Sequence, residues 1–257
     1  MDRYTLAVAA WQHKKIRTDA DLDEALSSQG VLFSYHSGKL ENDRITYHDT
    51  REIFDHDGVT SYTGDLRTLF EIRNAKDAYE FFLSAYGEGR DLDETFLKSL
   101  QECLTKNTYD TRQYQLGERP GQYKQHDHVT GRNEIGASAE DVEEEITELL
   151  AEMHDIPERH VLTAAAYFHV KFENIHPFAD GNGRTGRLAM NYFLVTHKHP
   201  PITVYEEDRK EYFSALDAWD TKQELTTMIR FLQKETEKTW KKEIEKELER
   251  RMLDQER

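Results

Sequence analysis

Cysteine is almost absent from this chain. Its 257 residues include one, Cys103, which excludes an internal disulfide framework and a multi-cysteine metal site. Cys103 lies in FLKSLQECL, with Phe96, Leu97, Leu100 and Leu104 at helical spacing, and so reads as an inert, buried thiol. Proline is scarce as well, at five residues; with frequent Glu, Lys, Leu and Ala, that favours helices over sheets. No stretch approaches the roughly 20 apolar residues that span a bilayer, and no charged leader followed by an apolar run opens the chain. A cytoplasmic protein with no membrane partner is expected. Basic residues are outnumbered, 34 Lys and Arg against 50 Asp and Glu, for a formal net charge of −16. That argues against a nucleic-acid partner, which needs a cationic footprint. A nucleotide remains compatible, because a small ligand feels the local field.

Apolar periodicity divides the chain. Residues 4–12 fit a short strand or an early helix. Asp19 to Ser28 and the stretch 31–42 read as helices, and Ile53 and Phe54 begin a short apolar cluster. The run 66–86 is a long amphipathic helix whose stripe is interrupted by polar residues at 73, 74 and 77. Asp93 to Leu104 follows, with Asp91 as a candidate cap. From 107 to 137 helical periodicity disappears among tyrosines and glycines, and Gln122 to Ile135 reads as a small β-hairpin or an ordered loop. Ser138 is an N-cap candidate for a helix from Ala139 to Met153. Residues 160–175 and the stretch after Arg187 are apolar on most sides, the mark of helices buried mid-domain. Further helices are expected over 208–218 and 222–231. At the end, Trp240, Ile244, Leu248 and Met252 form a narrow stripe, suited to lying on its own domain or on a partner.

Between the two buried helices lies HPFADGNGRTGR, from His176 to Arg187. Gly181 and Gly183 permit positive φ and close approach to a ligand. The following helix should begin near Gly183 to Arg184, so its free N–H groups face the loop and form an anion site. Arg184 and Arg187, three apart, share a helix face and can reach phosphate oxygens. Asp180 offers a hard carboxylate suited to Mg²⁺ beside phosphates. His176 is the only group of the loop with an ordinary pKa near neutrality, and so the candidate general base. Other readings fit less well. GNGRTG matches G-x-G-x-x-G, but no strand precedes it. The glycine spacing of a Walker A box lacks its Lys and Ser/Thr. His169, Glu173 and His176 have a spacing compatible with a metal cluster, although His169 alone suits a packed core position.

HPFADGNGRTGR resembles the signature of the Fic family, H-P-F-x-D/E-G-N-G-R-x-x-R, at every fixed position. The resemblance implies an all-α, Fic-type helical bundle with a small β-hairpin flap, which would fall on 117–137. It implies transfer of AMP from ATP to a Ser, Thr or Tyr hydroxyl of a target protein or of the protein itself. His176 would take the hydroxyl proton, Phe178 would anchor the loop, and Asp180 would hold Mg²⁺. Gly181, Asn182 and Gly183 would cradle phosphate oxygens, while Arg184 and Arg187 would neutralise the β- and γ-phosphates. The flap segment is more polar than is usual in the family and contains His126 and His128.

Upstream, Ser37, Glu41 and Asn42 form S-x-x-x-E-N. This resembles the inhibitory motif of one class of Fic proteins, in which the Glu pairs with the second motif arginine, here Arg187. The expected organisation is an N-terminal region with an inhibitory helix (1–60), a catalytic core (61–220) and a C-terminal helical extension (221–257). A homodimer is a further implication of the family. The loop reads phosphates better than bases. Removal of AMP, transfer of another nucleotide, and a non-catalytic nucleotide-binding role therefore remain open.

Overall fold

A computed structural model describes residues 2–27, 29–127 and 136–255. Among them are thirteen α-helices. They are α1 (Arg3–Gln12), α2 (Asp19–Leu26), α3 (Gln29–Glu41), α4 (Tyr47–His56), α5 (Leu66–Glu88), α6 (Glu94–Thr105), α7 (Thr111–Gln115), α8 (Val142–Glu152), α9 (Val161–Ile175), α10 (Asn182–Thr196), α11 (Arg209–Lys222), α12 (Thr226–Thr239) and α13 (Lys241–Gln255). Residues 4–12 are therefore helical, started by Asp2, whose carboxylate accepts the Thr5 N–H at 2.8 Å. Thr18, Thr46, Asp65 and Asp110 cap their helices in the same way. The cap of α6 is Asp93, which takes the Phe96 N–H, not Asp91. Helix α8 begins at Val142, later than its sequence suggested, because the Ser138 hydroxyl bonds the Asp141 carboxylate and not a helix N–H.

The all-α class holds, but the expected β-hairpin does not: no strand occurs among the described residues. Residues 117–127 and 136–141 run as turns and irregular chain. Residues 128–135, within the expected hairpin and including His128, lie outside the described residues. The reason is visible in the backbone donors. Lys124 N–H goes to Pro177 O at 2.9 Å, Ala137 N–H to Ile175 O at 3.0 Å, and Gln125 N–H to the Glu118 carboxylate at 3.1 Å. Those groups are committed to the 175–177 turn and to a buried side chain, so they cannot pair as a ladder.

Helix α10 is central. It packs on α9, α6, α3 and α5, and every residue from Leu188 to Val195 is buried. Helix α3 lies against α5, α4 and α10, which brings residue 41 to the head of α10. At the other pole α1 packs on α12 and α13, with Trp11 edge-on to Trp240 at 5.1 Å. Trp240 and Ile244 are buried, whereas Met252 is 57% exposed. The C-terminal stripe is thus satisfied on its own domain for its first turns.

Two polar residues of α5, Asn74 and Lys76, serve neighbouring helix ends. Asn74 donates to Leu104 O and Lys106 O at 3.3 and 2.7 Å. The buried Lys76 ammonium donates to Ile53 O and Phe54 O and pairs with Asp57 at 2.6 Å, closing the C-terminus of α4. A cation there satisfies free carbonyls and the helix dipole together. Replacing Lys76 with Met should destabilise the protein by about 1–3 kcal/mol. Thermal unfolding would then shift down by about 2–4 °C for each kcal/mol. An unchanged Tm would contradict this role.

Candidate active site

Helix α9 ends where His176 turns left-handed, at φ 52° and ψ 62°. That conformation is uncommon for a residue with a side chain and is held by its surroundings. The His176 N–H closes the helix on Phe172 O at 3.0 Å, and Pro177 follows, which cannot continue it. Phe178 then turns fully inward, against Tyr123 and Phe172. Asn182 ties the loop: its Oδ1 accepts the Phe178 N–H at 2.9 Å and its Nδ2 donates to Phe178 O at 2.7 Å. Both ends of that amide are used within the loop, so Asn182 acts as its clasp, and phosphate oxygens would meet backbone there.

Helix α10 starts after Gly181, which is at φ 82° and whose added Cβ would lie 2.7 Å from Thr105 Cγ2. Only glycine meets both demands. Buried Gln101 supports the turn from behind, donating to Asp180 O at 2.8 Å. At Gly183, a Cβ would overlap the Glu41 carboxylate and come within 2.9 Å of Arg187 Nη1. A carboxylate from α3 therefore covers the first turn of α10, where free N–H groups favour an anion.

Both arginines turn inward. Arg187 is 1% exposed. Its Nε donates to Ser37 Oγ at 3.0 Å, its Nη2 to Ser37 O at 2.9 Å and Glu41 Oε1 at 2.8 Å, and its Nη1 to Tyr212 Oη at 3.2 Å. Burial works against that charge, but Tyr212, Glu41 and Glu173 more than offset it and hold the guanidinium protonated. Burial likewise opposes ionisation of Glu41, and Arg187 outweighs it, holding the carboxyl below its usual value. Arg184, 6% exposed, donates to Asp180 Oδ1 at 3.1 Å and to Leu104 O at 3.4 Å. Asn42, next to Glu41, donates to Glu71 at 2.7 Å and Thr68 at 3.0 Å. Of the short motif, Ser37 and Glu41 thus bond Arg187 directly, whereas the Asn42 side chain bonds α5.

His176 is pushed down to about 4, first by burial and next by the Lys124 ammonium, against a backbone hydrogen bond at Glu173 and the charges of Glu41 and Asp180. Its imidazole is therefore neutral at pH 7 and free to accept a proton. Asp180 presents a single carboxylate, and among the described residues no three His, Cys, Asp or Glu side chains converge as a metal cage. The alternative of His169, Glu173 and His176 as metal ligands is not formed: His169 is fully buried with Nε2 on Tyr212 Oη at 2.9 Å. One carboxylate suits Mg²⁺, which takes one or two protein oxygens and completes its shell from phosphates and water. Both Asp180 oxygens already meet guanidiniums, Arg184 on one side and Arg67 at 2.8 Å on the other.

Sequence reasoning missed Arg67, Gln101, Tyr212 and Lys124. Each sits in an ordinary helical or loop stretch, and only tertiary packing brings it to the loop.

The family model for the Fic/DOC family matches residues 91–194, which contain this whole turn. Over that stretch this chain is similar to the Fic/DOC family. Among curated relatives, the protein adenylyltransferase Fic of Drosophila persimilis is 40% identical over 80 residues, 31% of this chain and 16% of that protein. The Drosophila mojavensis protein of the same name is 39% identical over the same length. This chain thus matches about one sixth of the length of those relatives. A Fic-domain signalling protein from Bacteroides thetaiotaomicron superposes with a TM-score of 0.77 at 21% identity, covering 96% of this chain and 97% of that one. Fic-1 of C. elegans gives 0.76 at 20% identity, over 98% of this chain and 72% of that one. These likenesses establish the Fic fold over nearly the full chain.

The loop clasp is open to direct test. Asn182→Ala would strand the Phe178 N–H and C=O in a buried place, at a cost of about 1–3 kcal/mol. Amide hydrogen exchange over 178–182 should speed up accordingly, and exchange equal to the wild type would contradict the clasp.

Proposed function

We propose that the protein is an autoinhibited adenylyltransferase that moves AMP from ATP to a Ser, Thr or Tyr hydroxyl of a target protein or of itself. The observation that carries this reading is the pairing of a neutral, half-buried His176 with an anion site at the head of α10 that Glu41 covers. The match to the Fic/DOC family over residues 91–194 supports nucleotide transfer in general, and the relatives named above carry the adenylyltransferase name.

In the reaction, the His176 imidazole accepts the proton of the target hydroxyl. The oxygen attacks the α-phosphorus in line, the bond to the bridging oxygen breaks, and pyrophosphate leaves. Phosphoryl-type transfer needs alignment and charge stabilisation more than covalent help. Backbone N–H groups at 181–183 and the Arg184 and Arg187 guanidiniums supply both. Asp180 would hold Mg²⁺, which neutralises charge on the phosphates. Arg187 cannot serve its phosphate fully while Glu41 holds it, so the wild type works slowly and release of Glu41 restores the site.

Incubation with ATP and Mg²⁺ followed by mass spectrometry tests the reading. Glu41→Gly should raise AMP transfer at least about tenfold, the effect of removing a coupling of about 1.4 kcal/mol. His176→Ala in that background should lower transfer by about 10²–10⁴-fold while ATP still binds. Equal labelling with and without Glu41 would overturn the inhibition, and retained transfer without His176 would overturn its role as base. Parallel incubations with UTP and GTP report base preference. The state of the base is separately measurable. An NMR titration of the nucleotide-free protein should place His176 well below 6.5, toward 4, so the ring is unprotonated at neutral pH and gains its proton only as pH falls. A midpoint at or above 6.5 would contradict it.

A further inference from the structure

We infer that Arg67 is a positioning residue that couples the end of α3 to the Asp180 carboxylate, so that Asn42 governs the metal side of the site as Glu41 governs the phosphate side. The inference rests on the nucleotide-transfer reading above.

Arg67 stands in the first turn of α5, half-exposed, and its guanidinium bridges two carboxylates. Nη2 meets Asp180 Oδ2 at 2.8 Å, and Nε meets Glu71 Oε1 at 3.1 Å. Glu71 is buried, and its other oxygen, Oε2, accepts the Asn42 Nδ2 at 2.7 Å. Asn42 is the residue that follows α3, and its Oδ1 takes the Arg44 N–H at 3.0 Å. Four side chains therefore run in line from the end of α3 to Asp180. Two consecutive residues, 41 and 42, reach the two ends of the candidate nucleotide site.

The sign follows from counting oxygens. With Asn42 in place, Glu71 gives Arg67 one oxygen, and the remaining arm of the fork lies on Asp180. Without Asn42, Glu71 can present both oxygens to the planar fork one helical turn away, the bidentate arrangement arginine favours. Arg67 then leaves Asp180, and the carboxylate is freed for a cation. While Arg67 stays, a cation must displace a guanidinium before it can reach Oδ2. A movement of the last turn of α3 would thus release Arg187 and Asp180 together. Lysine at 67 could keep a charge on Asp180 but, as a single point, could not relay the state of Glu71.

The experiment is calorimetric titration of the full chain with ATP, with and without Mg²⁺. The readout is the factor by which Mg²⁺ tightens ATP binding. Arg67→Gln should raise that factor about fivefold or more, within the usual span of coupling between sites. Asn42→Ala should do the same, although it touches neither Asp180 nor the ion. The double variant should rise no further than either alone, because the two act through one contact chain. In an Arg67→Lys background, Asn42→Ala should have no effect. An unchanged factor in Asn42→Ala, or additive effects in the double variant, would overturn the relay. If ATP binds to no variant, the nucleotide reading itself fails. The relay is then decided by amide hydrogen exchange over 180–184 in the nucleotide-free protein. Asn42→Ala and Arg67→Gln should accelerate it alike, and rates equal to the wild type overturn it.

Discussion

One ion pair organises the site: the Glu41 carboxylate on the Arg187 guanidinium, 2.8 Å apart and laid over the first turn of α10. Arg187 is nearly fully buried, so it cannot be left without an acceptor at small cost. It donates four hydrogen bonds, which Ser37, Tyr212 and Glu41 accept. A phosphate entering there would have to offer at least what Glu41 offers. A helix N-terminus favours an anion, and here the chain's own carboxylate takes that place, held within reach by α3.

Around that pair the backbone is held tightly. His176 sits in a left-handed conformation, Asn182 clasps Phe178, Gln101 props Asp180, and Gly181 fits a gap that no Cβ could enter. These constraints come from different parts of the chain and converge on seven residues, 176–182. A site that depends on alignment benefits from such support, because misplacement of a phosphate by a fraction of an ångström weakens every charge contact on it. Helix α3, by contrast, buries mostly small or polar residues, among them Gly30, Ser34, Ser37 and Gly38. It meets the site through polar contacts, the kind of interface that can open without unfolding a core.

The sequence made some of this legible and hid the rest, for identifiable reasons. Apolar periodicity located α5, α6, α9 and α10, because burial imposes it directly. The residues of HPFADGNGRTGR announced their chemistry because they are adjacent in the chain. Glu41 lies 146 positions from Arg187, and only the resemblance joined them. Arg67, 113 positions from Asp180, had no local signal at all: an arginine in the first turn of an amphipathic helix looks like solvated surface. The hairpin expected near 122–135 misled because tyrosines spaced by glycines suit turns of many kinds, and tertiary acceptors at Ile175 and Pro177 claimed the backbone donors. Asn182 shows a subtler limit, since its residue type suggested a ligand contact while packing turned it onto Phe178.

The most direct measurement of the central claim is a crystal structure of the Glu41→Gly variant with a non-hydrolysable ATP analogue and Mg²⁺. The terminal phosphates should lie at the head of α10, bonded to Arg184 and Arg187 where the carboxylate of residue 41 had been, with the His176 ring facing the α-phosphorus. Phosphates bound elsewhere, with Arg187 still turned only to Ser37 and Tyr212, would contradict it.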